Sequence, residues 1–90
     1  MTNIKIKNDK GEEKEYEVLF NYITKVNHLE YIVYTDFTRS EDNIIKCYSS
    51  ILTPEGKIEK VEDEEQIKFI ESTLASLADL SHLKYQITEY

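Results

Sequence analysis

Tryptophan is absent from this chain, and cysteine, proline and methionine occur once each. The lone Cys47 cannot close an internal disulfide, so the fold must rest on packing rather than cross-links. A secreted chain this short ordinarily carries several cysteines, which points to a reducing cytoplasm. Only two glycines occur, Gly11 and Gly56, both in turn-like contexts. No glycine-rich loop is left to cradle a phosphate, which argues against nucleotide binding of that kind. No apolar run approaches the roughly 18 residues needed to span a bilayer. The first seven residues, Met1-Thr2-Asn3-Ile4-Lys5-Ile6-Lys7, carry no apolar signal core and no cleavage pattern. His28 and His82 have no Cys, His or paired acid at ligand spacing, so neither a zinc site nor a cofactor is expected.

Positive charge is scarce as well. Eleven basic residues face 18 acidic ones, a formal net charge of −7. That sign opposes phosphate backbones and anionic membranes, so direct nucleic-acid binding and membrane attachment are not expected. Lys5, Lys7 and Lys10 form a short basic stretch, but no exposed aromatics interleave it as a nucleic-acid platform requires.

What the chain does have is aromatic and branched residues in alternation. Ninety residues, seven of them Tyr and three Phe, suit one domain with one modest core. The stretch Tyr31-Ile32-Val33-Tyr34-Thr35-Asp36 fits a pleated, half-buried surface and ends in turn formers. Two strand-like runs precede it and two follow. Residues 3–7 alternate Ile4 and Ile6 with Lys5 and Lys7, a short edge strand. Asn8-Asp9-Lys10-Gly11 makes the turn to residues 13–23, the longest strand. Residues 29–35 are the third strand and residues 44–52 the fourth, joined by a polar loop at residues 36–43. Thr53-Pro54-Glu55-Gly56 is a turn of the commonest type, and residues 57–61 are a short fifth strand.

The helix signal is local and strong. Asp63 is an N-cap, Gln66 completes a capping box, and Glu64 and Glu65 suit the positive end of the helix dipole. Ile67, Ile70, Leu74 and Leu77 form one apolar stripe, and Phe69 widens it or touches a strand. The helix is expected to end near residues 78–80. The expected fold is α+β: a five-stranded antiparallel meander in the order 1-2-3-4-5 with one C-terminal helix on one face. Residues 1–78 are its domain, and residues 79–90 are an extension that continues the helix or packs on the sheet.

Strict alternation places Tyr16, Val18, Phe20 and Tyr22 on the helix side, with Tyr31, Val33, Ile45, Cys47 and Ile51. The reverse face then holds Leu19, Ile23, Ile32, Tyr34, Ile44, Tyr48 and Leu52. One helix covers one face, which would leave an apolar patch in water. Either the tail, with Leu80, Leu83, Tyr85, Ile87 and Tyr90, folds across it, a second copy pairs over it, or another protein docks there. A one-residue bulge would swap these faces.

With the strands in this order, the chain resembles the YrzB-like family of small, acidic, uncharacterised bacterial proteins. The carrying blocks are Glu15-Tyr16-Glu17-Val18-Leu19-Phe20, then Tyr31-Ile32-Val33-Tyr34-Thr35-Asp36, then Ile58-Glu59-Lys60-Val61-Glu62-Asp63-Glu64-Glu65. The resemblance covers residues 12–78. It implies a cytoplasmic bacterial domain and transfers no catalytic residues.

Three constellations invite chemistry. Cys47, His28 and Asp36 make a nominal nucleophile, base and orienting acid, but alternation buries Cys47, and a reactive thiolate needs an electropositive, partly exposed site. Oxygen-bearing side chains at residues 36–42 suggest a calcium loop, yet Glu41 and Cys47 stand where such a loop needs Gly and Glu. Glu12, Glu13, Glu15 and Glu17, with Glu62, Asp63, Glu64 and Glu65, are acidic clusters that suit a basic partner if they share a face. The leading expectation is a non-enzymatic interaction or regulatory module that docks an unidentified protein, or a second copy, through Leu19, Ile32, Tyr34, Tyr48 and Leu52. The alternatives are an acidic mimic or partner of a basic nucleic-acid-binding protein and, last, a small thiol enzyme or hydrolase.

Overall fold

In the computed structural model, which describes residues 3–7 and 10–90, the alternating runs assemble into one curled sheet. The elements are β1 (Asn3–Lys7), β2 (Glu13–Ile23), β3 (Glu30–Arg39), β4 (Ile45–Leu52), β5 (Ile58–Glu59), α1 (Glu64–Ser81) and β6 (Tyr85–Glu89). The first five strands lie in the order β1-β2-β3-β4-β5, antiparallel throughout, as the meander requires. Asn8 and Asp9, half of the expected first turn, lie outside the described residues. Gly11 beside them has φ +81°, a conformation that suits glycine.

Position decides why β3 is the central strand. It is paired on both edges, and residues 31–35 are all buried. The helix-side core joins Tyr31, Val33, Ile45, Cys47 and Ile51 to Val61, Ile70 and Leu74. Ile67 and Leu77 flank it, so the expected helical stripe is the one that packs. Phe69 stays 51% exposed and meets the Tyr22 ring edge-on at 4.8 Å.

Four local expectations are corrected. Gln66 does not close a capping box in the hydrogen bonds observed. Its side-chain oxygen accepts from the Tyr22 hydroxyl at 2.8 Å, while Asp63 alone caps the helix by accepting from the Glu65 N–H. α1 runs on to Ser81, where His82 ends it in the left-handed region at φ +58°. The polar loop at residues 36–43 is shorter than expected, because β3 continues through Arg39 and a tight turn at residues 40–43 returns the chain. Finally, the tail does not fold across the reverse face. It forms β6, which lies beside β4 in parallel, with the Ile45 N–H donating to the Lys84 carbonyl at 2.8 Å. A parallel neighbour needs a long crossover, and α1 supplies it. β6 thus shares the outer edge of β4 with β5 and sends Ile87 and Tyr90 toward the helix-side core.

Candidate protein-interaction face

The reverse face is built around a bulge. Val18 pairs with Tyr34, but Phe20, not Leu19, pairs with Val33. Leu19 is the extra residue, and it packs against the helix-side core. Before the bulge the alternation is inverted, so Tyr16 and Val18 join Tyr34 and Tyr48 on the reverse face. Strict alternation had put Tyr16 and Val18 with the helix and Leu19 opposite. Both placements are corrected for one physical reason: an extra residue in one strand shifts the side-chain period by one.

Three tyrosines roof the centre of this face. The Tyr16 ring meets Tyr34 edge-on at 5.1 Å and Tyr48 edge-on at 5.8 Å, and Tyr34 lies over Tyr48 at 5.8 Å. Such arrangements match the ring quadrupole and contribute about 0.5–1.5 kcal/mol per pair beyond area burial. Within this cluster Tyr34 is 5% exposed, and Ile32, two residues before it on β3, is 2% exposed. Both side chains are buried, whereas strict alternation had placed them in an open patch. Tyr48 and Leu52 are half-buried, as are Tyr16 and Val18, while Ile23 at the end of β2 is exposed. The apolar reverse face is therefore real, but much of it is covered by its own aromatics.

Its buried hydroxyls are paired with each other. The Tyr34 hydroxyl and the Ser50 Oγ are 2.8 Å apart, a bond in which either can donate. Burial pushes the Tyr34 phenol up, with Ser50 opposing. Burial also raises Tyr48, helped by the nearby Asp36 charge. At the β1 end Lys14 donates to Asp36 at 2.5 Å and sits 5.6 Å from the centre of the Tyr16 ring. Burial alone would raise Asp36. Hydrogen bonds from Lys14 and from the Thr38 N–H outweigh it and hold the carboxyl at about 2.

Asp36 also shapes the second bulge, between Thr35 and Arg39. Thr35, fully buried, donates from Oγ1 to the Lys46 carbonyl at 2.7 Å and accepts from the Phe37 N–H at 3.0 Å. Asp36 accepts from the Thr38 N–H at 3.0 Å. Together they hold Phe37 at φ +63°, costly for an aromatic residue, with its ring 47% exposed. Neither the Lys14–Asp36 pair nor the turned-out Phe37 has a signal in the sequence, because both depend on register.

Cys47, His28 and Asp36 do not assemble as a nucleophile, base and orienting acid. Cys47 is 0% exposed, its thiol contacts the Ile45 carbonyl at 3.7 Å, and burial pushes its pKa up to about 11. It is a neutral core side chain at physiological pH. His28 lies in the β2–β3 loop, where its N–H donates to the Thr24 carbonyl, while Cys47 pairs with Thr35 well along β3. Among the described residues, no three His, Cys, Asp or Glu side chains converge as a metal set, and no helix is long and apolar enough to cross a membrane. The β2 acids are interleaved with lysines: Lys7 lies 3.9 Å from Glu13, Lys5 stands opposite Glu15, and Asn3 donates to Glu15.

Comparison with known proteins places the chain. It is 37% identical over 80 residues to a UPF0473 protein of Listeria monocytogenes, covering 82% of this chain and 80% of that one. A UPF0473 protein of Bacillus pumilus is 30% identical over 81 residues, 84% of this chain and 85% of its own. The chain belongs to the UPF0473 family. UPF0473 proteins form an uncharacterised family of small bacterial proteins, which agrees with the kind of family the sequence blocks resemble. A UPF0473 protein of Listeria welshimeri is 35% identical over a similar span. No protein-family model matches the chain, and no solved structure matches it. The UPF0473 name carries no activity, so function must be argued from the surface.

Proposed function

We propose that this UPF0473 chain is a non-enzymatic protein-interaction module of the bacterial cytoplasm, and that its partner docks on the tyrosine-roofed face. One observation carries this reading: among the described residues, a six-stranded sheet has one helix, on one face, while tyrosine side chains cluster over the other. The half-buried Tyr16, Val18, Tyr48 and Leu52 are the accessible part of that roof. Tyrosines suit such a role because one end of the side chain is dry and the other wet. The Lys14–Asp36 pair and the exposed Phe37 ring frame one end and supply polarity and an aromatic anchor. The sequence blocks that carry the family resemblance fall on β2, on β3, and on β5 through the first turn of α1, so they mark this scaffold.

The test is a Tyr48→Glu, Leu52→Glu double variant, since these side chains are partly accessible while Tyr34 is buried. Circular dichroism first establishes that it folds. Light scattering after size exclusion and affinity capture from the source cell then compare it with the parent. Loss of a dimer or of a specific captured protein supports the reading. An unchanged monomer with an unchanged set of captured proteins counts against it.

A further inference from the structure

The two sides of the sheet end differently. β1 carries Lys5 and Lys7, the kind of charge that discourages strand-to-strand addition. The opposite side is shared by the short β5 and the longer β6. β6, Tyr-Gln-Ile-Thr-Glu, has neither lysine nor proline, and among the described residues it pairs with β4 alone. Parallel pairing engages alternate residues. The Ile45 N–H donates to the Lys84 carbonyl, so Lys84 and Gln86 turn their main-chain groups to β4, and Tyr85 and Ile87 turn theirs outward.

The side chains of this edge divide by chemistry. Tyr85 and Ile87 stand beside Ile45 and Cys47 on the helix side, and Tyr90 packs there too. Leu83 lines a cavity of about 640 Å³ with Tyr85, Ala75 and Ala78. Gln86 stands beside Lys46 on the reverse side. Thr88 is an extra residue in this ladder, because Ile87 pairs with Cys47 but Glu89 pairs with Tyr48. The Thr88 Oγ1 donates to the Cys47 carbonyl at 3.1 Å. Glu89 therefore lies on the reverse side, near Tyr34 and Tyr48, as do Gln86 and, by alternation, Lys84. Lys84, Gln86 and Glu89 are exposed, and neither Lys84 nor Glu89 makes an ion pair among the described residues.

We propose that a second copy of this chain pairs along β6, the two strands running antiparallel about a twofold axis at Gln86. Tyr85 of each copy then stands opposite Ile87 of the other. These are the residues whose main-chain groups point outward, so each such pair exchanges both of its hydrogen bonds. With Thr88 set aside as the extra residue, Lys84 of each copy meets Glu89 of the other on the reverse side. On the helix side Leu83 meets the Tyr90 ring of the second copy, beside the cavity that Leu83 lines. A twofold interface must be self-complementary. This edge is so in charge on one side and in apolar surface on the other. At physiological salt, charges more than about 8 Å apart are largely screened, so the close pairs govern rather than the net −7 of each copy. The contact extends the sheet and leaves Tyr16, Val18 and Leu52 uncovered.

The experiment is light scattering and sedimentation equilibrium of the full chain over a concentration series, with circular dichroism to establish that each variant folds. The parent is expected to dimerise. Lys84→Glu and Glu89→Lys, both at exposed positions, should each weaken the dimer at least tenfold, and the double exchange should restore it. Glu89→Lys is the sharper case, since it lowers the net negative charge and would favour association if net charge decided it. Lys25→Glu, in the β2–β3 loop, should leave the dimer as it is. At the axis the two Gln86 residues form a non-hydrogen-bonded pair, whose Cα atoms lie about 4.5 Å apart, within the span of a disulfide. Gln86→Cys should therefore cross-link two copies under mild oxidation, and Lys25→Cys should not. A monomer at every concentration, single exchanges that leave the dimer intact, a double exchange that fails to restore it, or no Gln86→Cys cross-link overturns the proposal. So does a dimer lost only in the Tyr48→Glu, Leu52→Glu variant, which would put the second copy on the tyrosine face.

Discussion

Val18 stands opposite Tyr34 across the β2–β3 ladder, and the residue after it, Leu19, has no partner of its own. That single extra residue lets one strand serve two cores. Phe20 and Tyr22 go to the helix, and Tyr16 and Val18 go to the tyrosine roof. Deleting Leu19 should restore plain alternation and force Tyr16 and Val18 under the helix or Phe20 and Tyr22 out of it. We expect a loss of at least about 2 kcal/mol, read as a lower urea midpoint, with loss of near-ultraviolet tyrosine signal.

Asp36 links pH to stability. Its folded pKa of about 2 lies below the usual 3.8, so the folded state holds the proton less tightly than the unfolded chain. Its contribution is therefore fully present above about pH 4 and is lost as pH falls toward 2. Asp36→Asn should lower Tm at pH 7 and flatten the fall between pH 4 and 2. A variant whose acid transition superimposes on the parent's would remove Asp36 from the account.

The helix is held mainly by its buried stripe. Leu74 is 4% exposed, so Leu74→Ala should cost about 2–5 kcal/mol in chemical denaturation. Phe69 is 51% exposed and touches Tyr22 at its edge, so Phe69→Ala should cost less, about 1 kcal/mol. Equal costs would mean that the helix packs through a different face.

The Cys47 thiol should behave as a core group. With its pKa pushed from 9.0 to about 11, the thiolate fraction at pH 8 is roughly a hundredfold smaller than for a free cysteine. A disulfide reagent should label the native protein far more slowly than that shift alone predicts, because burial adds protection. Labelling should become fast on unfolding. Rapid native labelling would favour the thiol-enzyme alternative.

Much of this molecule was legible in order along the chain. Alternation located the first five strands, Asp63 marked the helix start, and the spacing of Ile67, Ile70, Leu74 and Leu77 named the face that packs. These are near-neighbour effects: a strand repeats every two residues and a helix every three to four, so a short window contains the signal. The excess of apolar residues on a second sheet face was equally visible, since it follows from counting sides.

The candidate surfaces were decided elsewhere. Nothing in residues 15–20 marks Leu19 as the residue to be left unpaired. The bulge arises because β2 must serve a helix at one end and the tyrosine roof at the other. The meeting of Lys14 with Asp36, and of Tyr22 with Gln66, depends on that register. The return of residues 85–89 beside β4 depends on where an 18-residue helix sets the chain down. Local residue preferences supplied the elements of this protein. Only the packing of distant segments determined which faces are closed and which side chains stay exposed.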